Sequence, residues 1–517
     1  MVSWFSNLVG VFSPRRAAEM EAWQAQRELI KRWGYDAGGY DKENRHWLAP
    51  MESSETTASH DRDTVRARAR DLERNSDIAK SVVHAFKRNV VGSGFKLQAR
   101  TSKAKFNADI ELAWSRWTKA RNCDVTGQQS FNQMLRMAVE RKKVDGGILF
   151  KKCYTPGGLV PFKLQALEVD ELDTSQYTPK NPANKIINGI EYDAYNKPVG
   201  YWIRRYSLDG YQIIEPEYVE AKDIIFYFQK SRPSQVREMS DMAPTLTRIR
   251  DVNEFVKAIS IKERIAACLS AFITKTSTTP TGGMGRGIGP APTAPKHSYE
   301  GKRITPGMIM ELNEGENVTS VNPPGSGSES AAYLKIQQGL IASGQGISYE
   351  ALTRDMSQTN YSSARQSLIE DQLIFNEEIE LLTEKIMDEV YETFVMSAVL
   401  AGVVSAPAAF WNKLDDYLVH EWVASPKSWI DPSKEANANM VALKTGQKTF
   451  KEICAENGRD YEDVLDEIAQ TKAYAEKIGL NLGEGGVLFG ISTEAKAESP
   501  EPTEPPEDGE PVQGSED

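Results

Sequence analysis

The chain has 517 residues, of which 40% are hydrophobic and 26% charged, and its formal net charge is −11 at pH 7. This length allows about three or four domains, and the composition excludes wholesale disorder. Nine acids and one base lie between Glu494 and Asp517, so this tail carries a charge of −8 and the preceding chain −3. The net charge therefore does not indicate a nucleic-acid binder, and the body of the chain is near neutral with an acidic tail attached.

The four cysteines, Cys123, Cys153, Cys268 and Cys454, are far apart and form no CxxC pair. This spacing argues against a disulfide framework or a zinc site and fits a reducing compartment. The most apolar stretch, 396–411, is too short for a membrane span and contains serines and a proline. We interpret it as a helix end and turn, and we expect no membrane-spanning segment.

The N-terminal half combines helical patterns with a β-rich unit. Apolar spacing predicts helices over the following ranges: 15–33, 61–90, 106–119 and 130–142. Strand formers separated by turn signals predict strands over the following ranges: 148–154, 159–169, 186–195, 199–206 and 218–228. Their short, regular spacing is typical of antiparallel sheets, and together they indicate one compact unit of about 80 residues.

The C-terminal half is dominated by long helices. Pro244 opens a helical pattern over 244–275, and thirty helical residues would span about 45 Å. A Gly/Pro/Thr-rich stretch, 278–295, is expected to be flexible, and a strand-like island follows over 302–321. Further helices are predicted over the following ranges: 330–343, 363–401, 450–457 and 460–478. The acidic Pro/Glu tail is expected to be disordered.

The start of the 61–90 helix is rich in arginine. Five arginines are interleaved with three acids, namely Arg62, Arg66, Arg68, Arg70 and Arg74 with Asp63, Asp71 and Glu73. The mixed pattern favours a solvated, salt-bridged helix face over a phosphate-binding stripe.

Motifs for catalysis are sparse. The 282–289 run has no Gly-Lys-Ser/Thr and follows a helix, so it does not indicate a phosphate loop. The five histidines are far apart in sequence, without the helical-turn pair of a zinc hydrolase. The densest acidic cluster comprises Glu168, Asp170, Glu171 and Asp173. It is compatible with a two-metal nuclease, but such acids between strands more often form a solvated edge or bind backbone at a turn.

Several segments, in order along the chain, resemble the lambda family of tailed-phage portal proteins over roughly residues 15–480. They are 62–72 (RDTVRARARDL), 89–94 (NVVGSG), 189–193 (GIEYD), 198–201 (PVGY), 349–355 (YEALTRD) and 360–365 (NYSSAR). The resemblance implies an α+β portal fold with a mixed α/β wing, a long-helix stem, a small β-containing clip and a helical crown. It also implies a structural protein without a cofactor rather than an enzyme.

The resemblance divides the chain as follows: N-terminal arm 1–60, wing 61–243, first stem helix 244–275, clip 276–327, second stem helix 328–348, channel loop 349–361, long wing helix 362–402, crown and C-terminal helical region 403–490, and acidic tail 491–517.

Three sets of residues carry the expected contacts. The DNA-channel loop would comprise Thr353, Arg354, Asp355, Met356, Ser357, Gln358, Thr359 and Asn360. The subunit interface of the stem would use Arg248, Arg250, Glu254, Lys257, Lys262 and Arg264. The docking surface of the clip would use Lys302, Arg303, Glu311, Glu314 and Glu316. Within the loop, Arg354 would touch DNA phosphates, or Arg354 and Asp355 would pair with each other or cap the loop, and Asn360 would cap the following helix.

The implied partners follow from the family. They are further copies of the chain in a ring, usually a dodecamer, double-stranded DNA passing through without sequence specificity, the terminase large subunit, the head–tail connector protein, and the major capsid and scaffold proteins. The implied location is the portal vertex of the virion, with the host cytoplasm during assembly. Two alternatives stay open: another capsid or head-completion protein, and a metal-dependent DNA-processing enzyme that would use Glu168 and Asp170.

Overall fold

The computed structural model describes residues 46–204, 215–268, 330–357, 359–426 and 432–479, with isolated shorter pieces elsewhere. Of residues 265–268, 272–273, 310–311, 327–329 and 361 the backbone alone is described. The helix predicted over 15–33 lies largely outside the described residues, and so do most of the clip and the whole acidic tail. The chain divides into two compact units, residues 1–61 with 231–236 and residues 62–230 with 237–517.

The first unit contains the short helix α1, Ser54–Ser59. Ser53 caps it, because its side-chain oxygen accepts a hydrogen bond from the Thr56 amide at 3.2 Å. The segment 231–236 lies against this helix, where Ser234 Oγ accepts from the Ser54 amide at 3.0 Å.

The second unit contains the remaining helices. They are α2 Arg62–Asn75, α3 Asp77–Phe86, α4 Ala104–Trp117, α5 Ala120–Cys123, α6 Phe131–Asp145, α7 Leu246–Cys268, α8 Gly327–Gly344, α9 Tyr349–Thr353, α10 Tyr361–Leu382, α11 Asp388–Leu400, α12 Leu414–Tyr417, α13 Pro432–Lys444, α14 Phe450–Glu456 and α15 Tyr461–Lys477. A π-helical turn, Thr383–Met387, joins α10 to α11, so the predicted long helix is observed with a π turn inside it. The single helix predicted over 61–90 is wrong in one respect. Extended backbone at Ser76, whose side chain caps α3, breaks it into α2 and α3.

The strands are β1 Lys96–Ala99, β2 Ile148–Tyr154, β3 Phe162–Leu167, β4 Lys185–Ile187, β5 Ile190–Tyr192, β6 Pro198–Ile203, β7 Glu217–Glu220, β8 Ile224–Tyr227, β9 Phe272–Ile273, β10 Met310–Glu311 and β11 His420–Val423. The β-rich region is antiparallel, as predicted, but it forms two sheets with strand orders β3-β2-β8 and β4-β5-β6-β7. In addition, β1 pairs antiparallel with β11. The two-residue strands β9 and β10 pair in parallel, and β10 lies within the predicted clip.

An aromatic cluster forms the centre of the core of the second unit. Trp117 is fully buried, stacks on Phe162 with ring centroids 5.4 Å apart, and donates its indole N–H to the Phe162 carbonyl at 3.0 Å. Trp114 contacts Phe394 and Trp422 at centroid distances of 5.2 and 5.5 Å. Large aromatic side chains dominate core energetics, and their N–H groups need a partner when buried. This cluster therefore fastens α4 to β3, α11 and β11.

Candidate functional site

Within the side chains that the structure describes, helices α7 and α8 pack into the core at one end. Ile249, Val252 and Ile341 are buried, whereas no residue in 253–264 or 330–340 is buried by the described chain. Beyond the buried ends the two helices contact each other through Phe255 and Tyr333, whose ring centroids are 4.7 Å apart. The family resemblance implies stem helices over 244–275 and 328–348, and the observed helices lie within or next to those bounds. Their role as a stem stays a prediction.

Apolar side chains are exposed along this helical pair. The exposed fraction is 43% for Val256, 62% for Ile336 and 47% for Leu340. Helices of soluble proteins normally turn their apolar residues toward a core or a partner. The exposed apolar residues on the outer parts of α7 and α8 are therefore typical of a protein–protein interface.

The predicted stem-interface residues fall into three environments. Arg248 donates to Gln337 at 2.9 Å and so links α7 to α8 of the same chain. Arg250 approaches Asp251 at 3.1 Å and Glu254 at 3.9 Å along its own helix. Lys257, Lys262 and Arg264 form no ion pair within the described residues. Their role between subunits stays a prediction.

The inner ends of α7 and α8 meet a buried ionic cluster that sequence reasoning missed. Lys142 Nζ lies 2.9 Å from Asp241 and 2.7 Å from Glu378, and Lys143 Nζ lies 3.1 and 3.3 Å from the same two carboxylates. Burial alone would lower the pKa of Lys142, but Asp241 and Glu378 raise it above its ordinary value. The cluster joins α6, the segment before α7, and α10. The adjacent Lys142 and Lys143 did not predict this cluster from the sequence, because their acidic partners, Asp241 and Glu378, are far away along the chain.

Two further contacts connect the predicted channel loop to this region. Gln345, after α8, donates to Thr245 Oγ1 at 2.9 Å, just before α7. The amide and hydroxyl of Ser348, the cap of α9, donate to Asp371 on α10 at 2.6 and 2.7 Å. The loop over 353–360 thus lies between α8 and α10, both of which contain residues buried in the core.

The loop itself is ordered by its own hydrogen bonds. Arg354 ends α9 in a left-handed conformation with φ of 59°. Asp355 does not pair with Arg354 in the structure; it accepts from the Ser357 amide at 3.0 Å, and hydrogen bonds from Ser357 lower its pKa. Arg354 has no ion pair within the described residues. Met356 is 57% exposed, and Gln358 lies outside the described residues.

The predicted cap of the following helix is present. Asn360 Oδ1 accepts from the Ser363 amide at 2.9 Å, and the Asn360 amide donates back to Ser363 Oγ at 3.0 Å. This reciprocal capping box satisfies two backbone donors at the start of α10. The remaining members of the loop, Thr353 and Thr359, donate their hydroxyls to the carbonyls of Tyr349 and Met356, both at 2.9 Å.

The arginines of α2 are paired, but the prediction that they form a solvated face is wrong for two of them. Arg62 and Arg66 are buried. Arg66 lies 2.9 Å from Glu238 and 3.1 Å from Asp170, and Arg70 lies 2.6 Å from Asp170. The sequence pattern showed only local acids, whereas Asp170 and Glu238 lie 100 residues or more along the chain from these arginines.

The acidic cluster considered for metal chemistry is engaged by protein groups. Asp170 is held by arginines, and a Glu171 carboxylate oxygen accepts from the Glu168 amide at 3.0 Å. Asp173 accepts from the Ser175 amide at 3.1 Å and lies 2.9 Å from Arg204. Over the described ranges, no group of three or more His, Cys, Asp or Glu residues is placed to hold a metal ion. The turn-binding interpretation of this cluster agrees with these contacts.

Two other predictions concern regions that are described in part. Of the clip docking residues, Lys302, Arg303, Glu314 and Glu316 lie outside the described residues, and only the backbone of Glu311 is described, in β10. Among the described residues, no helix is long and apolar enough to cross a membrane.

Comparison with known proteins agrees with this architecture. Residues 40–378 match the family model for the phage portal protein, lambda family. The chain therefore belongs to the lambda family of phage portal proteins, and both the family predicted from the sequence and the α+β class are confirmed. The chain is 26% identical to a probable portal protein of Halomonas phage phiHAP-1 over 440 residues, covering 81% of this chain and 82% of the relative.

More distant similarities extend over most of the chain. It is 22% identical to portal protein B of Escherichia phage lambda over 482 residues, which covers 84% of this chain and 88% of the relative. Among solved structures, a chain from the virion of a native gene transfer agent particle covers 76% of this chain and 93% of its own length, at 15% identity and a TM-score of 0.38. A chain from the neck of the native particle, computed with C12 symmetry, covers 80% and 95%, at 16% identity and a TM-score of 0.38.

Proposed function

We propose that copies of this chain form a closed ring at one vertex of a capsid, and that double-stranded DNA passes through the ring during packaging and ejection. The observation that carries the proposal is the uncovered helical pair α7 and α8 in a chain of the portal family. Closed rings need heterologous contacts, in which one face of a subunit meets a different face of its neighbour. The exposed apolar residues of this pair suit such contacts, and a dodecamer is the ring size expected for the family.

The loop over 353–360 would face the DNA. It carries one base, Arg354, and one acid, Asp355, so its own charge is balanced. A duplex must slide through a channel rather than stick to it, and each phosphate neutralised by a base adds affinity and salt dependence. A polar loop with one base that has no ion pair allows brief phosphate contacts without a strong hold.

Other partners belong to the same proposal. The clip, 276–327, would dock the terminase large subunit during packaging and the head–tail connector protein afterwards. The major capsid and scaffold proteins would hold the ring in the capsid wall. In this proposal the chain assembles in the host cytoplasm and remains in the virion.

Electron microscopy of the purified chain, without DNA or partners, tests the proposal. We expect rings with a central hole wide enough for a duplex, and the images give the number of subunits. A chain that stays monomeric over a wide concentration range would contradict the proposal.

The competing assignment to a DNA-processing enzyme has its own test. The purified chain is incubated with duplex DNA and Mg²⁺ or Mn²⁺, and Glu168→Gln and Asp170→Asn variants serve as controls. We expect no cleavage. Cleavage by the wild-type chain that these substitutions abolish would overturn the assignment as a purely structural protein.

A further inference from the structure

Helix α7 carries a basic stripe on one face. Arg250, Lys257 and Arg264 are spaced seven residues apart and all three are exposed. Seven residues make nearly two helical turns, so the three side chains lie in one row, each about 10.5 Å from the next. The helix as a whole has five bases and three acids. We call this row the basic stripe.

Helix α10 carries an acidic and apolar face. Glu370 and Glu377 are likewise seven residues apart and exposed, and Leu373 lies between them with 61% of its side chain accessible. Ile369, four residues before Leu373, is 44% exposed. The helix has five acids and one base. We call the surface of these four residues the acidic face.

Contacts within the chain satisfy these two surfaces in part, because Arg250 already lies 3.1 Å from Asp251 and 3.9 Å from Glu254 on its own helix. Among the described residues, Glu370 accepts a hydrogen bond from the side-chain amide of Gln366 at 2.9 Å, and Glu377 accepts one from the side-chain amide of Gln229 at 3.4 Å. Lys257 and Arg264 form no ion pair within the described residues. An acidic face with apolar residues and a basic stripe of the same spacing are complementary in charge and in period.

We propose that the acidic face of α10 in one subunit binds the basic stripe of α7 in the next subunit of the ring, an inference that rests on the proposed function. The two surfaces differ, as a heterologous ring contact requires. Burial of Leu373 and Ile369 supplies apolar area, and the charged rows fix the register, because opposed like charges are strongly disfavoured at an interface. The channel loop precedes α10 directly, so this contact also sets the position of each loop relative to the neighbouring subunit.

Charge reversal with rescue tests the pairing. One variant carries Lys257→Glu and Arg264→Glu, a second carries Glu370→Lys and Glu377→Lys, and a third carries all four changes. Each two-site reversal should lower the proportion of chain in rings at least about tenfold, because like charges then face each other. The four-site variant should regain most of the rings. An equal mixture of the two reversal variants should also regain most of the rings, because in a ring that alternates the two variants each acidic surface meets a basic one.

The matched control reverses two exposed bases of α2, Arg68→Glu and Arg74→Glu, and should leave ring formation unchanged. Native mass spectrometry measures the rings, and thermal unfolding of each monomer checks the fold.

The pairing would be overturned by reversals that leave the rings intact, or by a loss of rings that the four-site variant does not rescue. In both cases the rings of the wild-type chain would still support the proposed function. If reversal of the basic stripe keeps the rings but weakens DNA retention, the stripe binds DNA rather than the neighbouring subunit. That result would also overturn the proposed pairing. A wild-type chain that forms no rings overturns the proposed function and the pairing with it.

Discussion

The most decisive stability test concerns Glu238, a carboxylate with no solvent exposure among three arginines. Arg237 approaches both of its oxygens at 2.9 Å, and Arg66 approaches one of them at 2.9 Å. Arg62 donates to its backbone carbonyl at 2.9 Å. Replacing Glu238 with Gln removes the negative charge that faces these buried guanidinium groups, while Arg66 keeps its contacts with Asp63 and Asp170.

The expected magnitude follows from burial. An exposed ion pair contributes about 0–1 kcal/mol, whereas removing one partner of a buried pair costs about 3–5 kcal/mol because the other charge stays buried. The free energy of unfolding of the second unit should therefore fall by about 3–5 kcal/mol in Glu238→Gln. Urea unfolding at pH 7, followed by circular dichroism, measures it. The exposed Glu392→Gln is the control, expected to change stability by less than about 0.5 kcal/mol.

The same site predicts a pH dependence. Burial alone would raise the pKa of Glu238, but Arg237, Arg66 and Arg62 lower it below its ordinary value of 4.5. A group with a depressed folded-state pKa stabilises the fold above its unfolded-state pKa and loses that contribution as pH falls through the folded-state value. The difference between wild type and Glu238→Gln should thus be constant above pH 4.5 and shrink below it. A loss under about 1 kcal/mol at pH 7, or a difference that does not change with pH, would refute the argument.

The other predictions use single positions. Gly146 has φ of 91°, and an added Cβ would lie 2.4 Å from the Met239 backbone, so Gly146→Ala should cost about 2–5 kcal/mol in urea unfolding. Gly127 has φ of 71° with open space around it, so Gly127→Ala should cost only about 1–2 kcal/mol, and equal losses would show that the contact has no effect. Arg354→Asn keeps a residue type that tolerates left-handed backbone, so monomer stability and ring formation should be unchanged while DNA packaging efficiency falls; unchanged packaging would remove Arg354 from the DNA path.

Local signals in the sequence predicted several of the regular elements, but the single strands predicted over 186–195 and 218–228 are wrong, because each range contains two strands. The strand formers over 148–154 gave β2 with the bounds observed, and the cap signal at Asn360 gave the start of α10. The cap depends on interactions within a few residues, and the strand-forming residue types of β2 are displayed directly by the sequence. The pairing of β1 with β11 was not predicted, because Lys96 lies opposite Val423 and no local pattern links strands so far apart.

The charged residues also show that a local sequence pattern does not reveal contacts between residues far apart in the chain. A row of arginines interleaved with acids is typical of a solvated helix, and this interpretation suits Arg68 and Arg74, which are exposed. It fails for Arg66, because a buried position for arginine requires acids brought in by the fold, here Asp170 and Glu238. The sequence supplies the charge, but tertiary structure decides whether that charge faces water or a partner.

Some parts of the subunit are buried within the chain itself, whereas others would be buried only by neighbouring subunits in a ring. The aromatic cluster around Trp117 and the ionic cluster at Glu238 are complete within the chain. The outer parts of α7 and α8 are not, since 253–264 and 330–340 contain no buried residue. Most helical stability in proteins comes from packing of an apolar face rather than from helix propensity. Assembly would therefore stabilise the stem specifically, and reversing charge on α7 or α10 should weaken the ring without unfolding the subunit.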